Sequence, residues 1–152
     1  MIIRTIIFLV INFAALAIGG LFTGAGVTSD WYLGLSKAPW TPPGWVFGTA
    51  WSIIMICLAF YMSYLWPNAK SQKVLVTLFG VQLALNILWN PIFFHFQNPS
   101  LGLVNIISLT ALVGFFFIYY YPILRLKSLL IAPYFLWLLI ATSLNVYIVN
   151  TN

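Results

Sequence analysis

Charged side chains are scarce in this sequence, and acidic ones are the scarcest. Of its 152 residues only 5% are charged, and Asp30 is the one acidic residue. His95 is the one histidine and Cys57 the one cysteine. A carboxylate pair, a nucleophile–base–acid triad and a multi-ligand metal site each need more of these groups than one chain provides. Conventional acid–base catalysis, a metal centre within one chain and an internal disulfide are therefore excluded.

Apolar residues dominate instead, making up 63% of the sequence and giving a mean hydropathy of +1.05. A soluble domain carries roughly 25% charged residues, so this composition indicates a membrane protein. Each apolar run is close to the ~20 residues that cross a bilayer as a helix, and the alternation typical of a membrane β-barrel is absent. We therefore predict one domain, residues 1–152, folded as an all-α bundle of five transmembrane helices. The predicted spans are about 5–27, 44–66, 74–96, 101–124 and 128–149.

The first apolar run also imitates a cleavable signal peptide. Arg4 precedes it, and small residues follow at Ala15–Ala17. The apolar stretch continues to Val27, however, which is longer than the core of a signal peptide. We expect a retained helix.

Basic residues are distributed unequally between the two predicted ends of the bundle. Most lie on the end that carries the N-terminus and the loops at 67–73 and 125–127. The other end holds Asp30 and Lys37, whose charges cancel. Because basic loops remain in the cytoplasm, we expect a cytoplasmic N-terminus, an outward-facing 28–43 loop and a C-terminus outside. The basic residues on the first end are Arg4, Lys70, Lys73, Arg125 and Lys127.

The segment from Trp31 to Trp51 is the densest aromatic stretch of the chain, with the sequence WYLGLSKAPWTPPGWVFGTAW. Tryptophan and tyrosine concentrate at membrane interfaces as anchors, and a proline-stiffened loop can also fold over the mouth of a bundle as a lid. Both interpretations are open for Trp31, Trp40 and Trp45. The prolines of this segment are Pro39, Pro42 and Pro43.

Polar and aromatic residues recur at helical spacing in three of the predicted spans. In the third span, Asn86, Trp89 and Asn90 share one face. Three such faces can converge on an outward-opening pocket of indoles and amides, which suits a flat apolar ligand. The alternatives are plain helix packing for the tryptophans and interhelical hydrogen bonding for the asparagines. The other two faces are Phe47, Trp51 and Met55 in the second span, and Tyr134, Trp137, Ala141 and Asn145 in the fifth.

Prolines within the spans are expected to disturb them, because proline lacks the N–H that a helix uses. We predict that Pro91 and Pro133 each kink or locally open a helix, and that Pro122 ends the fourth span. His95, near the outer end of the third span, is expected at the membrane interface. Axial ligation of haem is the alternative role for this histidine.

Three stretches of the sequence resemble one known family. Trp31–Trp51, LALNILWNPIFFHFQ at Leu83–Gln97 and PYFLWLLIATSLNVY at Pro133–Tyr147 are similar to motifs of the TspO/MBR family, the translocator or tryptophan-rich sensory proteins. The resemblance covers nearly the whole chain and implies a homodimer of five-helix membrane chains. It also implies a pocket for tetrapyrroles, such as protoporphyrin IX or haem, and for isoquinoline carboxamide-like ligands. The positions that match this pocket are Tyr32, Pro42, Trp51, Asn86, Trp137, Ala141 and Asn145.

The resemblance implies a role in tetrapyrrole sensing, transport or regulation. Trp51 and Trp137 match the two indoles associated with light- and oxygen-dependent porphyrin degradation, so a porphyrin-degrading enzyme is an alternative. A sterol or small-lipid transporter is the second alternative, but no Lys or Arg follows Tyr147, where the family's sterol pattern places one. Membrane lipid is an expected partner. Nucleic acid is not, because the basic residues are scattered over short loops.

Two pairs of small residues offer surfaces for helix association. Gly20 and Gly24 lie in the first span, and Gly80 and Ala84 in the third, at a spacing that lets helix backbones approach closely. Packing within one chain and packing between two chains are equally consistent with this pattern. The family resemblance favours a homodimer, with the Gly80 face as its interface.

Overall fold

The computed structural model describes residues 1–152 and is helical throughout, without strands. Three short segments continue or join the α-helices: a 3-10 turn at Trp66–Asn68, a π-helical turn at Pro91–His95 and a 3-10 segment at Arg125–Ile131. The α-helices are α1 (Ile2–Gly26), α2 (Asp30–Gly34), α3 (Gly44–Leu65), α4 (Gln72–Asn90), α5 (Pro99–Tyr119), α6 (Tyr121–Leu124) and α7 (Ala132–Thr151).

Local chemistry sets where these helices begin. The Ser71 hydroxyl accepts the backbone N–H of Val74 and so caps α4. The Asn98 side chain does the same for α5 by accepting the N–H of Leu101. α3 begins directly after Pro43, because a proline at a helix start has no intrahelical hydrogen bond to lose.

Five helical segments are long and apolar enough to cross a membrane. Their outer surfaces carry side chains such as Leu21 and Ile118, which are 76% and 75% exposed in the single chain. Such surfaces suit contact with hydrocarbon, and helices satisfy their backbone hydrogen bonds there. The chain is therefore an integral, multi-pass membrane protein, and the predicted all-α five-helix fold is confirmed.

Prolines shape the last two spans differently from the sequence-based prediction. The predicted fourth span runs to residue 124, but α5 ends at Tyr119, and Pro122 lies in the separate short helix α6. The predicted kink at Pro133 is wrong, because this residue lies in the first turn of α7, where its missing N–H costs no hydrogen bond. The fifth span accordingly starts its α-helix at Ala132 rather than at residue 128. Pro91 does open its helix, at the π-helical turn after α4.

The spanning helices form a ring in the order α1, α3, α7, α5 and α4, with α4 closing on α1. Hydrogen bonds from polar side chains link different helices of the ring. The Tyr61 hydroxyl donates to the carbonyl of Phe116 at 2.9 Å, and Asn12 Nδ2 donates to the carbonyl of Met55 at 3.0 Å. In hydrocarbon such bonds satisfy polar groups that no water can reach. The ring places α3, α4 and α7, which carry the predicted pocket faces, around one interior.

Contacts at the two ends of the bundle fix which segments lie together. The Ser36 N–H donates to Asn152 Oδ1 at 2.8 Å, and Asn152 Nδ2 donates back to the Ser36 carbonyl at 3.1 Å. At the opposite end the Thr5 hydroxyl donates to Ser63 Oγ at 2.9 Å. The 28–43 loop and the C-terminus therefore share one end, which we call the outer end, and the N-terminus lies at the other.

Candidate ligand-binding site

Aromatic side chains of α3 and α7 meet near the outer end of the bundle. The ring of Phe47 lies 5.3 Å from that of Trp137 at an interplanar angle of 82°. One turn deeper, Trp51 lies 5.7 Å from Tyr134 at 73°. Edge-to-face pairs of this kind are a favourable arrangement of aromatic quadrupoles. The predicted faces of the second and fifth spans therefore do face each other.

α4 joins the same site through its amides. Asn86 Nδ2 and Gln82 Nε2 each donate to the Tyr134 hydroxyl at 2.8 Å. These two bonds hold Tyr134, which in turn packs against Trp51. Gln82 is not among the residues predicted from the sequence for the site, although it lies one helical turn before Asn86 on the same face.

Asn145 and Trp89 form a second link, between α4 and α7. Trp89 Nε1 donates to Asn145 Oδ1 at 3.1 Å, and Asn145 Nδ2 donates to the carbonyl of Pro99 at 2.9 Å. Each polar atom of the Asn145 amide thus has a partner on another helix. The structure gives Asn145 the interhelical role that the sequence left open as an alternative.

Two predicted site residues lie at the margin of this site. Asn90 points to α1, where its Oδ1 accepts the Thr23 hydroxyl at 2.6 Å. A Cβ at Gly19 would lie 2.6 Å from Asn90 Nδ2, so glycine is needed for this close approach. Met55 is fully buried in the core one turn below Trp51. Asn90 therefore links α4 to α1, and Met55 forms the inner boundary of the site, on the side away from the outer end.

An aromatic plug covers the outer end between α2 and α4, and we define it as Trp31, Tyr32, Trp89, Phe93 and Phe94. Trp89 stacks on Phe93 at 4.8 Å and 17°. Trp31 lies 5.6 Å from Phe93, and Tyr32 lies 5.5 Å from Phe94. Burial raises the pKa of the Tyr32 hydroxyl above its ordinary value. Trp31 and Tyr32 thus pack against the outer end of the third span, and we call these two residues the lid.

Sequence reasoning missed Phe93 and Phe94. The feature of the sequence that could have indicated them is the aromatic pair close after Pro91, because a proline that opens the helix changes the direction of the side chains that follow it.

Lys37 contacts the lid residue Tyr32 in two ways. Its Nζ donates to the Tyr32 carbonyl at 2.7 Å and lies 4.5 Å from the centre of the Tyr32 ring.

The other loop residues divide between packing and exposure. Trp40 Nε1 donates to Ser143 Oγ at 3.2 Å on α7. Pro42 is half-buried just before α3. Trp45 is 73% exposed, which suits an interfacial anchor. His95 is exposed on the π-helical turn and lies away from Trp51 and Trp137.

The side chains of the site differ in their exposure. Trp137 is 8% exposed, whereas Ala141, one turn further out on α7, is half-buried and small. A surface hollow of about 480 Å³ lies elsewhere, beside Trp40 on the outer side of α7. The hollow is open at the surface, whereas a ligand at the predicted site has to enter beside the buried Trp137.

The chemistry available here is stacking and hydrogen bonding. The site offers two indoles, a phenol and several amides, and Gln82 Oε1 is buried without a hydrogen-bond partner. Aromatic walls with a few polar groups are typical of sites for flat apolar molecules. None of the side chains described at the site is an acid or a histidine.

Comparison with known proteins identifies the family. The model of the TspO/MBR family matches residues 7–150. The chain belongs to the TspO/MBR family. It is 40% identical to the tryptophan-rich protein TspO of Archaeoglobus fulgidus over 143 residues, which cover 90% of this chain and 92% of that protein.

Relatives in this family carry several names. The chain is 31% identical to the human translocator protein over 134 residues, which cover 83% of this chain and 79% of that protein. It is 30% identical to the tryptophan-rich sensory protein of Cereibacter sphaeroides over 124 residues, which cover 81% of this chain and 78% of that protein. The family resemblance read from the tryptophan-rich segments is confirmed, and membership covers nearly the whole chain.

Proposed function

We propose that this TspO/MBR-family membrane protein binds a tetrapyrrole of the protoporphyrin IX type, haem included, and acts in tetrapyrrole sensing, transport or regulation. The observation that carries this proposal is the aromatic contact between α3 and α7 at the outer end of the bundle, where Trp137 packs on Phe47 and Trp51 packs on Tyr134. A flat macrocycle can stack on indoles, and the small Ala141 leaves room for its edge. Isoquinoline carboxamide-like ligands have the same flat apolar character.

Polar side chains near the aromatic residues also support the proposed binding of a tetrapyrrole. The unpartnered Gln82 Oε1 is a buried acceptor, which a donor group on a ligand or a bridging water would satisfy. The Asn86 amide already engages Tyr134 directly beneath Trp51. We place haem in the same aromatic site and without ligation by His95, because that histidine is exposed on the π-helical turn.

A light- and oxygen-dependent degradation of the porphyrin is the second candidate function. One observation favours it: Trp51 and Trp137 lie on the facing sides of α3 and α7 at the proposed site, and indole is readily oxidised. Such a reaction requires neither the acid nor the base that the site lacks. A sterol or small-lipid transporter remains the weaker candidate, because no basic residue follows Tyr147.

Titration of the purified protein with protoporphyrin IX in darkness tests the proposal. We expect saturable quenching of tryptophan fluorescence together with a shift of the porphyrin absorbance. The same sample is then illuminated in the presence of oxygen. Saturable binding without a new product supports a sensor or carrier, and a new bilin-like absorbance supports the enzyme. Absence of saturable binding in darkness would refute the proposal.

The proposed orientation places the N-terminus in the cytoplasm and the 28–43 loop outside, because five of the six basic residues lie at the N-terminal end. In a Cys57→Ala background, Gln72→Cys should resist an impermeant thiol reagent in intact cells, and Ser36→Cys should react. Both side chains are exposed, and Ser36 uses only its backbone to bind Asn152. Labelling of the opposite cysteine would reverse the orientation.

We also propose that the chain forms a homodimer through Gly80 and Ala84. A Cβ built at Gly80, Gly20 or Gly24 meets no other atom within 4 Å, so none of these glycines serves packing within the chain. Exposed small residues on a membrane helix allow close approach of a second helix.

The variant Gly80→Leu with Ala84→Leu should convert the dimer to a monomer, measured by light scattering in detergent. Gly20→Leu with Gly24→Leu is the matched control, since it adds the same bulk to another open face. If the Gly80 variant stays dimeric while the control becomes monomeric, the interface lies on α1 instead.

A further inference from the structure

A groove at the N-terminal end of the bundle combines apolar walls with two cations. Its volume is about 530 Å³, and it lies between α3 and the segment that follows α6. Phe60 and Tyr64 contribute from α3, and Leu130 contributes from the 3-10 segment before α7. Arg125 and Lys127 also line it, and both are exposed. We refer to it as the basic groove.

The two cations have no counter-charge within the chain. The one acidic residue, Asp30, belongs to α2 at the outer end of the bundle. Lys127 Nζ instead lies 4.3 Å from the centre of the Tyr64 ring, a cation–π contact that holds the ammonium over the wall of the groove. An anion from outside the chain is therefore the missing partner of this pair.

The backbone at Arg125 is held in an unfavourable conformation. Its φ is 49° and its ψ is −120°, which are the angles of the first central residue of a type II′ turn. Glycine takes this conformation without steric cost, whereas a side chain with a Cβ does not. Arg125 and Gln97 are the two residues other than glycine with a positive φ, and Arg125 lines the basic groove, which points to a role for its side chain.

The position of the groove selects a lipid over a soluble anion. Leu126, between the two cations, is 79% exposed, and Phe60 is 38% exposed. Exposed apolar side chains at the end of a spanning helix lie at the boundary of the hydrocarbon, where a cation reaches the headgroup layer. Basic pockets between membrane helices are suited to anionic headgroups in this way.

We propose that the basic groove binds an anionic phospholipid. Its phosphate lies between Arg125 and Lys127, and an acyl chain lies along Phe60 and Leu130. The binding is non-covalent and is independent of the tetrapyrrole site at the opposite end of the bundle. Because both cations are exposed, the affinity should fall as salt is raised.

Titration of the detergent-solubilised protein with short-chain phosphatidylglycerol tests this proposal, with bound lipid followed by native mass spectrometry and thermal unfolding. Phosphatidylcholine and inorganic phosphate serve as parallel ligands. We expect phosphatidylglycerol to bind and raise the unfolding temperature, and the other two to do neither. Removing the cations with Arg125→Gln and Lys127→Gln should weaken binding by roughly fivefold for each cation.

Two further variants separate binding from folding. Lys70→Gln with Lys73→Gln removes the same charge from another loop at the same end and should leave phosphatidylglycerol binding unchanged. Arg125→Gly should match or exceed the unfolding temperature of the parent without lipid, because it relieves the turn, and should still bind the lipid more weakly. Equal binding of phosphatidylcholine, or unchanged phosphatidylglycerol binding in the Arg125 and Lys127 variants, would overturn the proposal. An equal effect of inorganic phosphate would also overturn it, in favour of a soluble anion.

Discussion

Replacing Ala141 with phenylalanine should weaken the binding of protoporphyrin IX roughly ten- to a hundredfold, because placing the macrocycle beside the added ring overpacks the bound site at a cost of about 1–3 kcal/mol. Ala141 lies one turn from Trp137 on the same face of α7 and is half-buried beside it. A phenyl ring there occupies the space proposed for the edge of the macrocycle. The fold should survive, since the added group is apolar and the helix lies within the membrane.

The matched control is Leu136→Phe on the same helix. Leu136 is 59% exposed on the lipid-facing side, so the substitution adds a similar ring away from the site. The Leu136→Phe variant should bind protoporphyrin IX in darkness with the same affinity as the parent protein. Parent-like affinity in the Ala141 variant, with an unchanged unfolding temperature, would place the tetrapyrrole somewhere else.

The double variant Trp51→Phe, Trp137→Phe should retain dark binding and lose any light-driven porphyrin breakdown. Phenylalanine keeps most of the stacking surface, so affinity should fall by only ~1 kcal/mol, about fivefold. Breakdown should cease because phenylalanine is much harder to oxidise than indole. Dark affinity and illuminated product yield, measured on the same preparation, separate the binding role of the two residues from the chemical one.

Trp45→Phe is the control for this pair. Trp45 is 73% exposed at the outer interface, and its replacement should change neither affinity nor product yield. If the double variant forms photoproduct as fast as the parent, the two indoles are not the oxidised groups. The proposed enzymatic function would then be rejected, and only the dark titration would support the proposed binding function.

Much of the fold could be predicted from the sequence because the membrane simplifies the problem. Long apolar runs can only be helices in hydrocarbon, and their number and order follow directly. The residues at which the helices begin and end were less predictable. The kink expected at Pro133 fails because a proline in the first turn of a helix is harmless, and its position relative to that turn could not be read from the apolar pattern.

The sequence predicted which helix faces carry the residues of the candidate site. It did not predict which of these residues contact each other. Helical spacing placed Trp51 and Trp137 on interior faces, and the structure brings α3 and α7 together there. Spacing alone does not give the order of helices around the ring. For that reason Asn90, which shares a face with Asn86, was expected at the pocket but hydrogen-bonds Thr23 of α1 instead.

The proposed tetrapyrrole site can be tested most directly by a crystal structure of the protein grown with protoporphyrin IX in darkness. We predict electron density for the macrocycle between Trp51 and Trp137, with its edge against Ala141 and with the lid residues Trp31 and Tyr32 moved from their present positions. Density in the open hollow beside Trp40, with Trp51 and Trp137 still packed on Tyr134 and Phe47, would contradict the proposed site.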